Sequence, residues 1–149
     1  MDKKKKTTEE QLGYLLTQVS FLKQRIINAA LKELDITYIQ FIILAGTLEI
    51  RDHHELVTQQ TISTKRRLDK AMVSNVVKTL LNKGLMIRQP HPIDKRAYTL
   101  SLTESGTEKA IKGKQIAIKI DKAFFAEINK QNLLESLTLL LKNDKTIYE

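Results

Sequence analysis

A chain of 149 residues, 42% apolar and 28% charged, is long enough for one globular domain with a real core, and no apolar run approaches the roughly 20 residues that span a bilayer. The lack of cysteine excludes a disulfide scaffold, thiolate metal ligands and a thiol redox switch, and the basic start leads into polar Thr7 to Gln11 where a signal peptide needs an apolar stretch. An intracellular, cytoplasmic protein is therefore expected. The net charge of +8 is uneven: residues 58–102 hold 9 basic and 2 acidic side chains, while the flanks 1–57 and 103–149 come to 0 and +1. Such a basic segment inside a folded chain points to a polyanionic partner, usually nucleic acid.

In chain order, Leu12, Leu15, Leu16, Val19, Leu22, Ile26 and Ala30 form one apolar stripe, which predicts a long first helix. Asp35-Ile36-Thr37 breaks it. Thr37 with Gln40 makes a capping box, and Ile36 can staple onto Phe41, so a second helix runs through Leu48. A polar stretch, Glu49 to Glu55, ends that helix. Thr58 opens a short helix to about Thr64, anchored by Ile62, and Lys65-Arg66-Arg67 form a turn. Asp69 caps the next helix, in which Val73, Val76, Val77, Leu80 and Leu81 share one face, and Gly84 ends it in the left-handed conformation.

The period then changes. Leu85, Ile87 and Gln89 alternate, Pro90 to Lys95 turn, and Tyr98, Leu100 and Leu102 alternate again, which predicts a hairpin with a basic tip and Tyr98 in the core. Thr103 caps a helix to about Ile128, and a last helix carries Leu133, Leu134, Leu137, Leu140 and Leu141. The expected fold is mainly α with a small two- to three-stranded β-wing. A winged helix-turn-helix lobe would span 35–103, and residues 1–34 with 104–149 would form a helical dimerisation region. The basic segment coincides with the helix-turn-helix and wing.

In such a unit the second helix enters the major groove of duplex DNA. With the valines turned inward, the opposite face of that helix presents Ala71, Ser74, Asn75 and Lys78, beside Lys70 at its start. Asn75 can bond an adenine edge, Ser74 can donate or accept, Ala71 can meet a thymine methyl, and Lys78 suits a phosphate. At the hairpin tip, Lys95 and Arg96 can reach a neighbouring minor groove, and Asp94 would pair with an arginine or cap the turn.

Several stretches together closely resemble the MarR (multiple antibiotic resistance regulator) family. They are Leu34 to Phe41, Thr58 to Ser63, Leu68 to Ser74, Leu80 to Met86 with Arg88, Asp94-Lys95-Arg96, and Leu102-Thr103-Glu104-Ser105-Gly106. The wing D-x-R followed at this distance by L-T-x-x-G is the most specific part. The resemblance implies a homodimeric regulator of transcription, usually a repressor, built on its terminal helices and answering to a small aromatic effector. It implies that Arg96 is the minor-groove arginine and Asp94 its supporting acid. Asn75 and Ala71 depart from the arginine and the Ser or Thr common in the family, so base preference does not carry over. Arg66 and Arg67 stand where an apolar residue and Gly or Asn are frequent, which should add phosphate contacts beside Lys65.

The stripe of the first helix and the leucines of the last exceed what a lobe of about 70 residues can cover, which argues independently for a dimer. Other constellations carry less. Asp52-His53-His54-Glu55 are neighbours on a loop and rarely converge on one metal ion. No G-x-S-x-G motif or glycine-rich phosphate loop is present, so neither an enzyme nor a cofactor is expected. Tyr14, Phe21, Phe41 and Phe124 are candidates for lining an effector pocket, but core packing explains them as well. The rival class is a helical protein-interaction or RNA-binding module using the same basic segment.

Overall fold

The computed structural model describes residues 4–145. The outermost residues of the expected terminal segments, 1–3 and 146–149, lie outside that range. Helix α1 (Thr8–Ala30) starts at a capping box between Thr7 and Glu10, and of its residues only Ile27 is buried. A single 3-10 turn (Leu31–Leu34) follows, and Asp35 leaves it in the left-handed conformation, φ 54°. Lysine amines reach across to this junction: Lys109 donates to the Leu34 carbonyl and Lys83 to the Asp35 carbonyl.

The capping box of Thr37 and Gln40 opens α2 (Tyr38–Asp52), and Ile36 and Phe41 are both buried in the same core, as a staple requires. Contrary to the expected break at Glu49, α2 continues to Asp52. Buried Ile50 holds its last turn in the core, and His53 caps it. Thr58 caps α3 (Gln59–Arg66), which therefore contains Lys65 and Arg66 rather than ending before them. Arg67, at φ 51°, makes the turn, and the Ser63 hydroxyl donates to the Leu68 carbonyl to close it. A left-handed backbone is cheaper for Gly or Asn, the residues frequent in the family at this position.

Asp69 then caps α4 (Lys70–Asn82) by accepting the Met72 N–H. Gly84 takes φ 71°, with Gly84 N–H bonded to the Leu81 carbonyl and Leu85 N–H to the Leu80 carbonyl. This is the Schellman pattern, and buried Leu80 and Leu85 supply its apolar contact.

Strands β1 (Met86–Pro90) and β2 (Tyr98–Leu102) pair antiparallel, with Met86 opposite Leu102 and Arg88 opposite Leu100. The Leu100 N–H also bonds the Val57 carbonyl, tying the sheet to the chain entering α3. The register corrects the expected alternation of β1. Met86 faces the core and Ile87 is exposed, because apolar residues occupy adjacent positions and only pairing decides between faces.

Thr103 caps α5 (Glu104–Phe124), which stops short of Ile128, and α6 (Lys130–Leu141) completes the described chain. The L-T-x-x-G motif has a visible purpose. The Thr103 hydroxyl donates to the Gly84 carbonyl while accepting the Gly106 N–H, so one side chain joins the end of α4 to the start of α5. A Cβ on Gly106 would lie 1.9 Å from the Leu85 carbonyl oxygen, so only glycine permits that approach. The core draws on α2, α3, α4 and both strands, and closes with Ile27, Leu31 and Ala110. No residue of α6 is fully buried, and among the described residues no helix is long and apolar enough to cross a membrane.

Candidate nucleic-acid interface

α4 presents two faces of opposite chemistry. Val73, Val77 and Leu80 are fully buried, with Val76 and Leu81 partly so. Lys70, Ala71, Ser74, Asn75 and Lys78 are all exposed, and their side chains make no hydrogen bond among the described residues. Their donors and acceptors are thus directed to solvent from a helix anchored on its other side.

The hairpin tip is held by its own backbone and two side chains. Asp94 accepts the Arg96 N–H at 3.0 Å through its carboxylate and the Ala97 N–H at 3.1 Å through its carbonyl. Of the two roles expected for Asp94, the geometry selects capping the turn. His91 Nδ1 accepts from the Ile93 and Asp94 N–H groups, and no motif singled out that role in the sequence. Lys95 and Arg96 are exposed, and neither forms an ion pair among the described residues.

The cations at the C-terminal end of α3 and in the turn after it are placed differently. Arg66 donates to Glu49 at 2.9 Å, Lys65 lies 3.6 Å from Glu55, and Arg67 donates to Asp144 at 2.7 Å. All three acids come from outside the basic segment. Lys65, Arg66 and Arg67, expected as phosphate contacts, thus each have an acid of the same chain beside them, and Arg66 is drawn in until its side chain is 31% exposed.

A groove of about 530 Å³ joins the wing to the helix-turn-helix, lined by the start of α3, Leu81 of α4, and Arg88, His91, Arg96 and Tyr98 of the hairpin. Tyr98 is not core. It is 51% exposed, with the Arg88 guanidinium 4.6 Å from its ring centroid. Register explains this, since Tyr98 pairs with Pro90 at the loop end of the hairpin, away from the Met86–Leu102 end that meets the core.

The other constellations separate. Tyr14 and Phe21 are exposed on α1, Phe41 is core, and Phe124 packs edge-on against Phe125, so the four occupy different settings. His53 and His54 take up the turn after α2, and no cluster of three or more His, Cys, Asp or Glu is placed to hold a metal among the described residues.

The sequence model of the MarR family matches residues 46–98. Over 133 residues, covering 89% of this chain and 90% of the relative, the chain is 42% identical to an uncharacterized HTH-type transcriptional regulator of Bacillus subtilis, YdcH. Its fold is similar to that of a mutant MarR from E. coli complexed with operator DNA, with TM-score 0.75, 26% identity and coverage of 89% of this chain and 92% of that one. The organohalide sensing regulator RdhR in its 2,4-dichlorophenol bound form shares the fold at TM-score 0.81 and 21% identity, over 95% of this chain and 82% of that one.

Proposed function

The chain belongs to the MarR family of transcriptional regulators, and on that footing we propose that it acts as a homodimer on a pseudo-palindromic operator in duplex DNA, most often to repress. One observation carries the reading. The exposed face of α4 and the wing tip carry the cations Lys70, Lys78, Lys95 and Arg96, which are in no ion pair among the described residues. The two acids of the segment, Asp69 and Asp94, are both turned to backbone N–H groups. A helix of this width fits the major groove, where Asn75, Ser74 and Ala71 would meet base edges and Lys70 and Lys78 the phosphates. Arg96, beside Lys95, would enter the adjacent minor groove. The MarR relative complexed with operator DNA supports this docking.

Dimerisation is supported by what one chain leaves uncovered. Leu12 and Phe21 on α1 are each 63% exposed, and Leu139 and Leu134 on α6 are 62% and 60% exposed. Apolar stripes of this extent mark an interface. Residues up to 34 and from 104 onward would form it, leaving 35–103 as the DNA-reading lobe. Two copies would place their α4 helices about 34 Å apart, one turn of duplex. Light scattering that shows a monomer at working concentration would remove this geometry.

Selecting bound fragments from genomic DNA tests the whole reading. A palindromic consensus is expected, bound with an affinity that falls steeply as salt rises. A flat salt response, or enrichment without symmetry, would sink it. For RNA the favoured design is several aromatic stacking platforms, whereas Tyr98 is a single ring already covered by Arg88. A small aromatic effector, the class bound by RdhR, would release the operator. Adding a phenol or aromatic acid to the complex tests this, and unchanged DNA affinity counts against it.

A further inference from the structure

His91 begins the loop that connects the two strands. Its Nδ1 accepts the Asp94 N–H at 2.9 Å and the Ile93 N–H at 3.1 Å, while Pro92, between His91 and Ile93, has no N–H to compete. A ring nitrogen can accept these bonds only while it carries no proton. The arrangement is the histidine counterpart of an Asx turn, in which an Asn or Asp oxygen accepts the N–H two residues on. Asp94, fixed in this way, holds the N–H groups of Arg96 and Ala97, and the His91 N–H closes the loop on the Ala97 carbonyl at 3.2 Å. A continuous set of contacts thus runs from His91 to the backbone of Arg96.

We propose that His91 is a positioning residue for the wing, whose unprotonated Nδ1 holds the turn in the shape that presents Lys95 and Arg96, and whose protonation releases it. The proposal rests on the wing reading given above. An imidazolium would put an N–H where two backbone N–H groups already point, leaving three donors and no acceptor. The ionisable groups lining the same groove are Arg88 of β1, Tyr98 of β2, and Asp94 and Arg96 of the loop. The first residues of α3 and Leu81 of α4 add none. Gain of a proton also adds positive charge beside the DNA, which by itself would tighten binding, so the two effects have opposite signs and can be told apart.

The test uses the full chain and a fluorescein-labelled duplex carrying the selected operator, with anisotropy read at constant ionic strength from about pH 8 down to about pH 5.5. Wild type is expected to lose roughly tenfold in affinity on the acid side, with two hydrogen bonds gone. His91→Asn places Oδ1 where Nδ1 was, accepts the same N–H groups without titrating, and should match wild type at the alkaline end and keep its affinity in acid. His91→Ala should bind weakly throughout. NMR amide protection of Ile93 and Asp94 should fall with acid in wild type and hold in His91→Asn, a readout that needs no DNA. Affinity that rises in acid, an equal fall in His91→Asn, or wild-type binding by His91→Ala each overturns the proposal. Arg96→Ala is the control for the wing itself. If it binds as wild type, the wing contact fails and the functional role of His91 fails with it, while the amide protection still reports whether the turn is built as described.

Discussion

Two groups of cations sit within the same basic segment and meet opposite fates. At the end of α3, Lys65, Arg66 and Arg67 lie next to one another in the sequence, and each is matched by an acid, Glu55, Glu49 and Asp144. On α4 and the wing, Lys70, Lys78, Lys95 and Arg96 face solvent without such partners among the described residues. A paired cation must exchange its acid for a phosphate, whereas an unpaired one has only its solvent to give up, and the cost of that exchange is small where the pair is exposed. The contrast teaches that cations of one basic run differ in whether folding leaves them compensated, which neighbouring positions in a sequence do not reveal.

The comparison can be broken or sharpened by substitution, beginning with the wing. Replacing Lys95 and Arg96 together with alanine should weaken operator binding by about a hundredfold at moderate salt, since each protomer loses two phosphate or groove contacts. Anisotropy measures this, and an unchanged circular dichroism spectrum shows that the fold survives. Asn75→Ala should cost about 1–3 kcal/mol of discrimination at one base position while sparing binding to random duplex. Competition between the operator and single-base variants reads that difference. Lys78→Ala should weaken binding to all sequences alike, and the salt slope should shrink by about one for each protomer. Arg66→Ala belongs to the other group. It should leave operator affinity within about twofold, yet lower unfolding free energy in urea by about 1 kcal/mol through loss of the partly buried pair with Glu49. A large loss of affinity in Arg66→Ala, with stability intact, would erase the distinction between the two groups. The smallest effect is expected from Arg67→Gly, where relief of the left-handed backbone, about 1 kcal/mol, opposes loss of the Asp144 contact. Thermal unfolding should therefore shift little.

What was legible in the sequence was local. The caps Thr37, Thr58, Asp69 and Thr103 and the terminator Gly84 all take the roles that their residue types imply. Their partners lie within a few residues, so the sequence contains the whole interaction. The inward valines of α4 were legible for a related reason, since a helix repeats its faces every few residues whatever surrounds it. The wing was harder. Met86 and Ile87 are adjacent and both apolar, so the strand could bury either face, and the pairing with Leu102 decided for Met86. Tyr98 fits an alternating strand but sits where the hairpin has already left the core. The acceptor role of His91 is not legible in the sequence because it depends on a turn geometry that no motif announces. Arg66 read as a surface cation because Glu49, its partner, is 17 residues away, and Asp144 is 77 residues from Arg67.

The sequence by itself determined the order of elements, the helix-turn-helix followed by a wing, the uncovered apolar stripes of the terminal helices, and the segment holding nearly all the excess charge. Hydrophobic period, capping and turn chemistry act over a few residues, and composition needs no coordinates at all. Only the tertiary structure decided which cations are paired, which face of β1 is buried, and that the His91 ring accepts two backbone N–H groups of the wing turn. Those outcomes depend on distance through space. Coulomb attraction and hydrogen bonding do not register how far apart two residues stand along the chain.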